Sequence, residues 1–207
     1  VFRLRNGQRE ADGKTVMTFE AGPGKPFFDS QLAWMGDNRL LVAIPDADPQ
    51  FQNPIKLNGA RLYRVTGSSE AKEIGWVDGF NVAWAPNGGR LAFSRYTSDT
   101  METVELYLAE GDGAAPELYV TMKWGMFMGW SPDGTTFLYS DNYQVFAGAP
   151  GQAPQRLANG VSLVNPQWVS ERQFVSQHDQ GERGWWLSLR GVDGSAAGLL
   201  PLPREAY

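Results

Sequence analysis

His178 is the only histidine of the chain, and it stands beside a carboxylate in Gln177-His178-Asp179. An imidazole next to an acid is the raw material of general acid–base catalysis. Side chains adjacent in sequence point apart, however, and this segment is predicted to lie in a connection after a strand, where a solvated side chain is the plainer reading. Asp46 and Asp48 alternate in Pro45-Asp46-Ala47-Asp48-Pro49. That spacing could hold a calcium ion with help from backbone carbonyls. It lacks the glycine and the distal glutamate of an EF-hand loop, so solvated loop charges explain it better. Ala21-Gly22-Pro23-Gly24-Lys25-Pro26 has the outline of a phosphate loop. The outline fails because Phe19 stands where the first glycine belongs and Pro26 where Ser or Thr belongs. No Gly-x-Ser-x-Gly elbow marks a serine hydrolase. With no cysteine in the chain, thiolate metal sites and disulfides are both excluded. The chain is therefore read as non-catalytic, without a metal site and without a cofactor.

Composition narrows the classes further. The chain has 207 residues, enough for one domain with a substantial interior. Hydrophobic residues make up 42% and aromatics 13%, a load that suits a β-rich interior rather than a disordered chain. Eighteen basic residues against 23 acidic ones leave a formal charge of −5, and no basic cluster overrides that average, which argues against general nucleic-acid binding. No apolar run approaches the length of a bilayer span.

The elements that would position any site come from an internal repeat. Four tryptophans occur at one place in four copies: Leu32-Ala33-Trp34, Val82-Ala83-Trp84, Met128-Gly129-Trp130 and Pro166-Gln167-Trp168. Each is followed by a polar turn: Met35-Gly36-Asp37-Asn38, Ala85-Pro86-Asn87-Gly88-Gly89, Ser131-Pro132-Asp133-Gly134 and Val169-Ser170-Glu171-Arg172. Pro presets one backbone angle, and Asn-Gly or Asp-Gly supplies the positive-φ positions of a tight hairpin. A second strand follows at Leu40 to Ala43, Leu91 to Ser94, Phe137 to Ser140 and Gln173 to Ser176. A third reads Leu62-Tyr63-Arg64-Val65, Leu106-Tyr107-Leu108, Gln144-Val145-Phe146 and Trp185-Trp186-Leu187. A fourth closes each unit at Ala71 to Ile74, Glu117 to Val120, Gln155 to Leu157 and Ala197 to Leu200.

Units of four short strands and roughly 40–50 residues are the signature of propeller blades. A lone four-stranded sheet cannot cover its own two faces. Radial stacking covers them, and an indole between sheets hides about 150–250 Å², worth roughly 4–6 kcal/mol as an upper bound. The expected fold is all-β, a β-propeller of antiparallel four-stranded blades. The units are 30–75, 76–121, 122–158 and 159–207, preceded by a half blade and connection at 1–29. In that half blade Val1 to Leu4 matches the third strand and Thr15 to Phe19 the fourth, so either an upstream segment supplies the two inner strands, the expectation preferred, or strands from elsewhere complete the ring.

Residues 128–140, Met-Gly-Trp-Ser-Pro-Asp-Gly-Thr-Thr-Phe-Leu-Tyr-Ser, resemble the WSPDG repeat of TolB-like propellers, and residues 82–94 resemble it nearly as well. The same repeat occurs in the propellers of prolyl oligopeptidase relatives. The other two units lack the Pro-Asp-Gly turn. The resemblance implies a propeller platform and an extracytoplasmic home, in the periplasm, the envelope or outside the cell. It leaves function open, because such propellers serve as enzymes, scaffolds and binding platforms.

One end of the sheets is the candidate site. The connection between second and third strands is long at Pro45 to Asn58, shorter at Tyr96 to Thr103 and nearly absent at Asp141-Asn142; insertions confined to one connection map to one face, often the binding face. The connections between units emerge on the same face and carry Phe27-Phe28, Trp76, Phe80, Trp124 and Phe127. Phe28, Trp76, Phe80, Trp124 and Phe127 are the expected partner-binding residues, with wedging between blades as the competing role for each. The partner expected is a protein or peptide, including another copy of the chain. Two alternatives stand beside this scaffold reading: a gating propeller of a hydrolase whose catalytic domain lies outside the chain, and a structural subunit of an extracellular assembly.

Overall fold

The computed structural model describes residues 4–5, 8–9, 17, 30–35, 38–47, 57–67, 69–97, 102–142, 144–157, 163–179 and 185–201. No helix occurs among them. Blade 1 consists of β3 (Gln31–Met35), β4 (Arg39–Ala47), β5 (Leu57–Thr66) and β6 (Lys72–Val77). Blade 2 consists of β7 (Phe80–Trp84), β8 (Arg90–Tyr96), β9 (Thr103–Glu110) and β10 (Glu117–Lys123). Blade 3 runs β11 (Met126–Trp130), β12 (Phe137–Asp141), β13 (Gln144–Gly148) and β14 (Gln155–Arg156). Blade 4 runs β15 (Leu163–Trp168), β16 (Gln173–Asp179), β17 (Trp185–Gly191) and β18 (Ala196–Pro201). Each is an antiparallel four-stranded sheet with strands in chain order, the blade architecture expected from the repeat. The outer strands β6 and β10 run on past 75 and 121.

Ahead of these, β1 (Leu4–Arg5) pairs with β2 (Gln8–Arg9) in a two-stranded sheet. Leu4 thus meets Arg9 across the ladder, nearer in sequence than the Thr15 to Phe19 strand the repeat implies. Asn6-Gly7, between the two strands, has the residue types a two-residue turn requires. Thr15 to Phe19 lies outside the described residues, apart from Met17, which is in no strand.

The turns after the tryptophans follow from their residues. Gly88 and Gly134 take φ of 70° and 69°, and each donates its N–H to the carbonyl three residues back, Ala85 and Ser131, at 2.8 Å. In blade 3 Asp133 organises the turn. Its carboxylate accepts from the Ser131 hydroxyl, from Thr135 N–H at 3.1 Å and from Thr135 Oγ1 at 2.7 Å. These bonds, that from Ser131 first, hold the Asp133 carboxyl below its ordinary value. In blade 1 Asn38 stands at the position of Gly88 and Gly134 and takes the positive φ of 64°, which asparagine tolerates.

In every blade the marker Trp faces an apolar residue across the ladder: Trp34 and Leu40, Trp84 and Leu91, Trp130 and Phe137, Trp168 and Phe174. In blades 2, 3 and 4 this side of the sheet meets the preceding blade. Trp84, Leu91 and Phe93 of blade 2 share a core with Leu41, Ala43 and Leu62 of blade 1. Trp130, Phe137 and Tyr139 of blade 3 pack on Ala92 and Leu106 of blade 2. Trp168 and Phe174 of blade 4 pack on Leu138, Val145 and Ala147 of blade 3. Indole N–H groups join adjacent blades: Trp130 Nε1 donates to the Ala83 carbonyl at 2.9 Å, and Trp168 Nε1 to the Gly129 carbonyl at 3.3 Å. Trp84 Nε1 turns instead to the Gly111 carbonyl of its own blade at 2.8 Å.

The expectation that all four indoles wedge between sheets fails at Trp34, which is 57% exposed. Its side of blade 1 has no preceding four-stranded sheet among the described residues, although Val42 and Val65 on the same side are buried, so the exposure is local to the inner strand.

Trp130→Ala is expected to cost about 3–5 kcal/mol, because a buried aromatic leaves a cavity, and Trp34→Ala under about 0.5 kcal/mol, as for a surface change. Urea unfolding of both variants at low protein concentration checks this. Equal losses at the two positions would contradict the packing described.

Candidate interaction face

The chain order of antiparallel strands puts the start of each inner strand at the same end of the sheet as the end of the second. Backbone hydrogen bonds confirm that the two kinds of connection meet. Trp124 N–H donates to the Glu102 carbonyl at 2.8 Å, Asn142 N–H to the Lys123 carbonyl at 2.7 Å, and Lys123 N–H to Asp141 Oδ1 at 2.7 Å. The opposite end is closed by turn-to-turn bonds, Gly111 N–H to Gly89 O and Val192 N–H to Arg172 O, both 3.0 Å.

The five expected residues divide. Phe28 lies outside the described residues. Trp76, in β6, is exposed, and a Cβ added at Gly59 would fall 2.5 Å from its ring, so the indole lies directly on that glycine's backbone. Phe80 is half-buried and stacks on Tyr96, ring centroids 4.5 Å apart and 21° between planes. Trp124 is 46% exposed and sits at φ 50°, a left-handed conformation unusual for a bulky side chain. Phe127 corrects the expectation. It is 7% exposed and packs on Trp130 and Phe137, with centroids 5.8 and 5.7 Å away. Successive strand residues point to opposite faces, so it is Met126, 55% exposed, that reaches solvent in its place.

Two parts of this end escaped the sequence reading. One is Tyr96, exposed at the end of β8. The other is a polar cluster beside it. Arg95 Nη2 and Nε donate to Glu105 Oε2 at 2.8 and 3.2 Å, and Arg95 Nη1 to Asp78 Oδ2 at 3.2 Å. Arg95 also donates to the Tyr107 hydroxyl, which donates in turn to Glu105 Oε2 at 2.8 Å. The guanidinium lies 4.8 Å from the Tyr107 ring centroid, and that ring stacks on Phe93. The hydrogen bond from Arg95 holds the Glu105 carboxyl below its ordinary value against the opposing effect of burial. Its bond to Glu105 raises the Arg95 pKa, and burial, with the Glu105 charge, raises that of Tyr107. Arg95, Glu105, Asp78 and Tyr107 thus form one hydrogen-bonded cluster. Cross-strand pairing of Arg95 with Glu105 is the signal that locates the cluster, and it depends on a register that only the ladder reveals.

The catalytic candidates are not assembled. His178 is not in a connection but within β16, opposite Trp186 and Leu163 in the ladder. β16 extends to Asp179 because the neighbouring strand continues to pair with it. Asp46 likewise lies inside β4, not in a loop, while Asp48 and the segment 21–26 lie outside the described residues. Among the described residues, no three His, Asp or Glu side chains are grouped as metal ligands would be, and no helix is long and apolar enough to cross a membrane.

No protein-family model matches the chain, and no curated protein matches it. Solved structures do. A TolB candidate from Agrobacterium tumefaciens superposes with a TM-score of 0.59 at 19% identity, over 85% of this chain and 62% of that one. The β-propeller domain of the Trilobed protease from Pyrococcus furiosus, described as having an open velcro topology, gives 0.52 at 12% identity over 80% and 54%. An uncharacterized protein from Listeria monocytogenes gives 0.59 at 10% identity over 91% and 57%. The chain spans less than two thirds of the length of each. At these identities the likeness speaks for the fold: the four sheets are blades of a β-propeller, and their structural neighbours include a TolB candidate and a protease propeller.

Proposed function

We propose that the chain is a non-catalytic propeller scaffold that binds a protein or peptide partner through the end of the blades where Trp124, Met126 and Tyr96 emerge. The observation that carries this reading is Trp124. A tryptophan at positive φ costs on the order of 1–3 kcal/mol and persists only where its surroundings hold it. Here the strain presents an exposed indole beside an exposed methionine. Rigid indole surface next to adaptable thioether surface is the composition of protein-binding patches. The Arg95–Glu105–Tyr107 cluster supports the reading from below, because it stiffens the strand ends that carry Tyr96 and Phe80. An extracytoplasmic home belongs to the same proposal and follows from the resemblance to TolB-like propellers alone. A second reading, a propeller that gates a hydrolase domain outside this chain, is favoured by the protease propeller among the neighbours and uses the same end of the blades.

Screening the immobilised chain against a random peptide library is expected to yield binders that lose at least about tenfold in affinity with Trp124→Ala or Met126→Ala, the loss of one or two hot-spot contacts, and that ignore Glu171→Ala at the opposite end. Binders indifferent to both face variants would sink the proposal. The cluster beneath makes its own prediction. Glu105 has a depressed folded pKa, so its stabilisation is present above the ordinary carboxylate value and is lost as pH falls through the lower folded value. Glu105→Gln is expected to lower stability by about 0.5–1 kcal/mol at pH 7, a modest figure because Arg95 is partly solvent-screened. The gap between wild type and variant should close in strong acid, as followed by thermal melts across pH.

A further inference from the structure

Blade 2 stacks a cation on an aromatic ring beside carboxylates, and it completes that set from its own residues and the adjoining connection. Arg95 lies 4.8 Å from the Tyr107 ring centroid and donates to Glu105 and Asp78. A guanidinium suits this place because its flat face covers a ring while its edge N–H groups meet a carboxylate. At the same end of the blade a second aromatic ring stands among carboxylates with no cation on it. Trp124 is 46% exposed, and its N–H donates to the Glu102 carbonyl at 2.8 Å, which holds the two residues side by side. Glu102 is exposed and makes no ion pair among the described residues. Asp141 reaches the residue before the indole, its Oδ1 accepting the Lys123 N–H at 2.7 Å, and its Oδ2 makes no hydrogen bond among the described residues. No cation lies over the Trp124 ring among them either. Carboxylates outnumber cations at this end: Asp78, Glu102, Glu105 and Asp141 face Arg95, which is committed to two of them, and Lys123.

We infer that Trp124 receives an arginine side chain of the partner, the guanidinium flat on the indole and its N–H groups directed at Glu102 and Asp141. The inference rests on the reading of this end as the interaction face and names what that face selects. The contact repeats, between two molecules, what Arg95, Tyr107 and Glu105 already make within one. An indole is the aromatic ring that attracts a cation most strongly. Arginine fits it better than lysine, because an ammonium is a compact, strongly hydrated charge with no flat face. Met126, 55% exposed, offers apolar surface to the aliphatic stem of such a side chain. An acidic segment would meet an excess of like charge here. A purely apolar one would take Glu102 and Asp141 out of water with no partner for either, which is costly.

Fluorescein-labelled Arg-Gly repeat peptides, titrated with the 207-residue chain and followed by anisotropy, test this against Lys-Gly and Glu-Gly repeats of the same length. The Arg repeat is expected to bind, the Lys repeat to bind several-fold more weakly, and the Glu repeat not to bind. Trp124→Ala keeps the net charge and should weaken the Arg repeat by about tenfold. Glu102→Gln should weaken it by about two- to fivefold, the range of an exposed ion pair, and the effect should fade as salt is added. Glu171→Gln removes the same charge at the opposite end and should change nothing. Equal losses from Glu102→Gln and Glu171→Gln would reduce the binding to general attraction by an acidic chain and overturn the inference. An Arg repeat that does not bind, or binds no better than the Lys repeat, would overturn it too. Peptide-library binders that need Trp124 but ignore Glu102→Gln would remove arginine as the ligand and leave the interaction face standing. Library binders that ignore Trp124 would remove the face itself.

Discussion

Each four-stranded sheet of this protein has two apolar faces and no means of covering either with its own strands. That single constraint organises the molecule. The residues of each second strand alternate, so Leu91 and Phe93 pack backward onto blade 1 while Ala92 packs forward onto blade 3. Among the described residues every core cluster is shared by two neighbouring blades. The marker tryptophan adds to this contact, in blades 3 and 4, an indole hydrogen bond to the preceding blade. Burying an indole without satisfying its N–H would cost part of what its area contributes, and the neighbouring inner-strand carbonyl meets that need without any side-chain partner.

The two ends of the blades serve different ends because their connections are bonded differently. At one end, turns of the same blade hydrogen-bond to each other, as Gly111 does to Gly89. At the other, connections from different strands and blades meet, and the backbone there adopts the left-handed conformation at Trp124 and Asn142. Aromatic and sulfur-containing side chains emerge at that end from a base stiffened by paired charges and by the Phe80–Tyr96 and Phe93–Tyr107 stacks. Ser140 contributes from beneath, its hydroxyl accepting the Met126 N–H at 3.1 Å. A rigid interior with side chains presented at strand ends is the division of labour that lets one fold serve many partners.

Much of this was legible in residue order. A Trp, a polar turn and a short apolar stretch are local signals, and their repetition placed all sixteen blade strands close to where they lie. Strand ends were less legible: β16 and β4 run through His178 and Asp46 because a partner strand is there to pair with them, and no local pattern announces a partner's length. The candidate face was only half legible. Sequence singles out a cluster of large side chains between blades 2 and 3, but the choice between Phe127 inward and Met126 outward depends on the pleat and on the bulge between Phe127 and Gly129.

The repeated tryptophans, turns and short apolar stretches by themselves determined that the chain builds four similar sheets with apolar faces, since each signal acts over a few residues. Tertiary structure alone decided which copy of each repeated residue is covered. Trp34 and Trp130 occupy equivalent places in the repeat, yet one is exposed and the other buried, because burial depends on what packs against a side chain, and that is a property of the tertiary structure rather than of the residue.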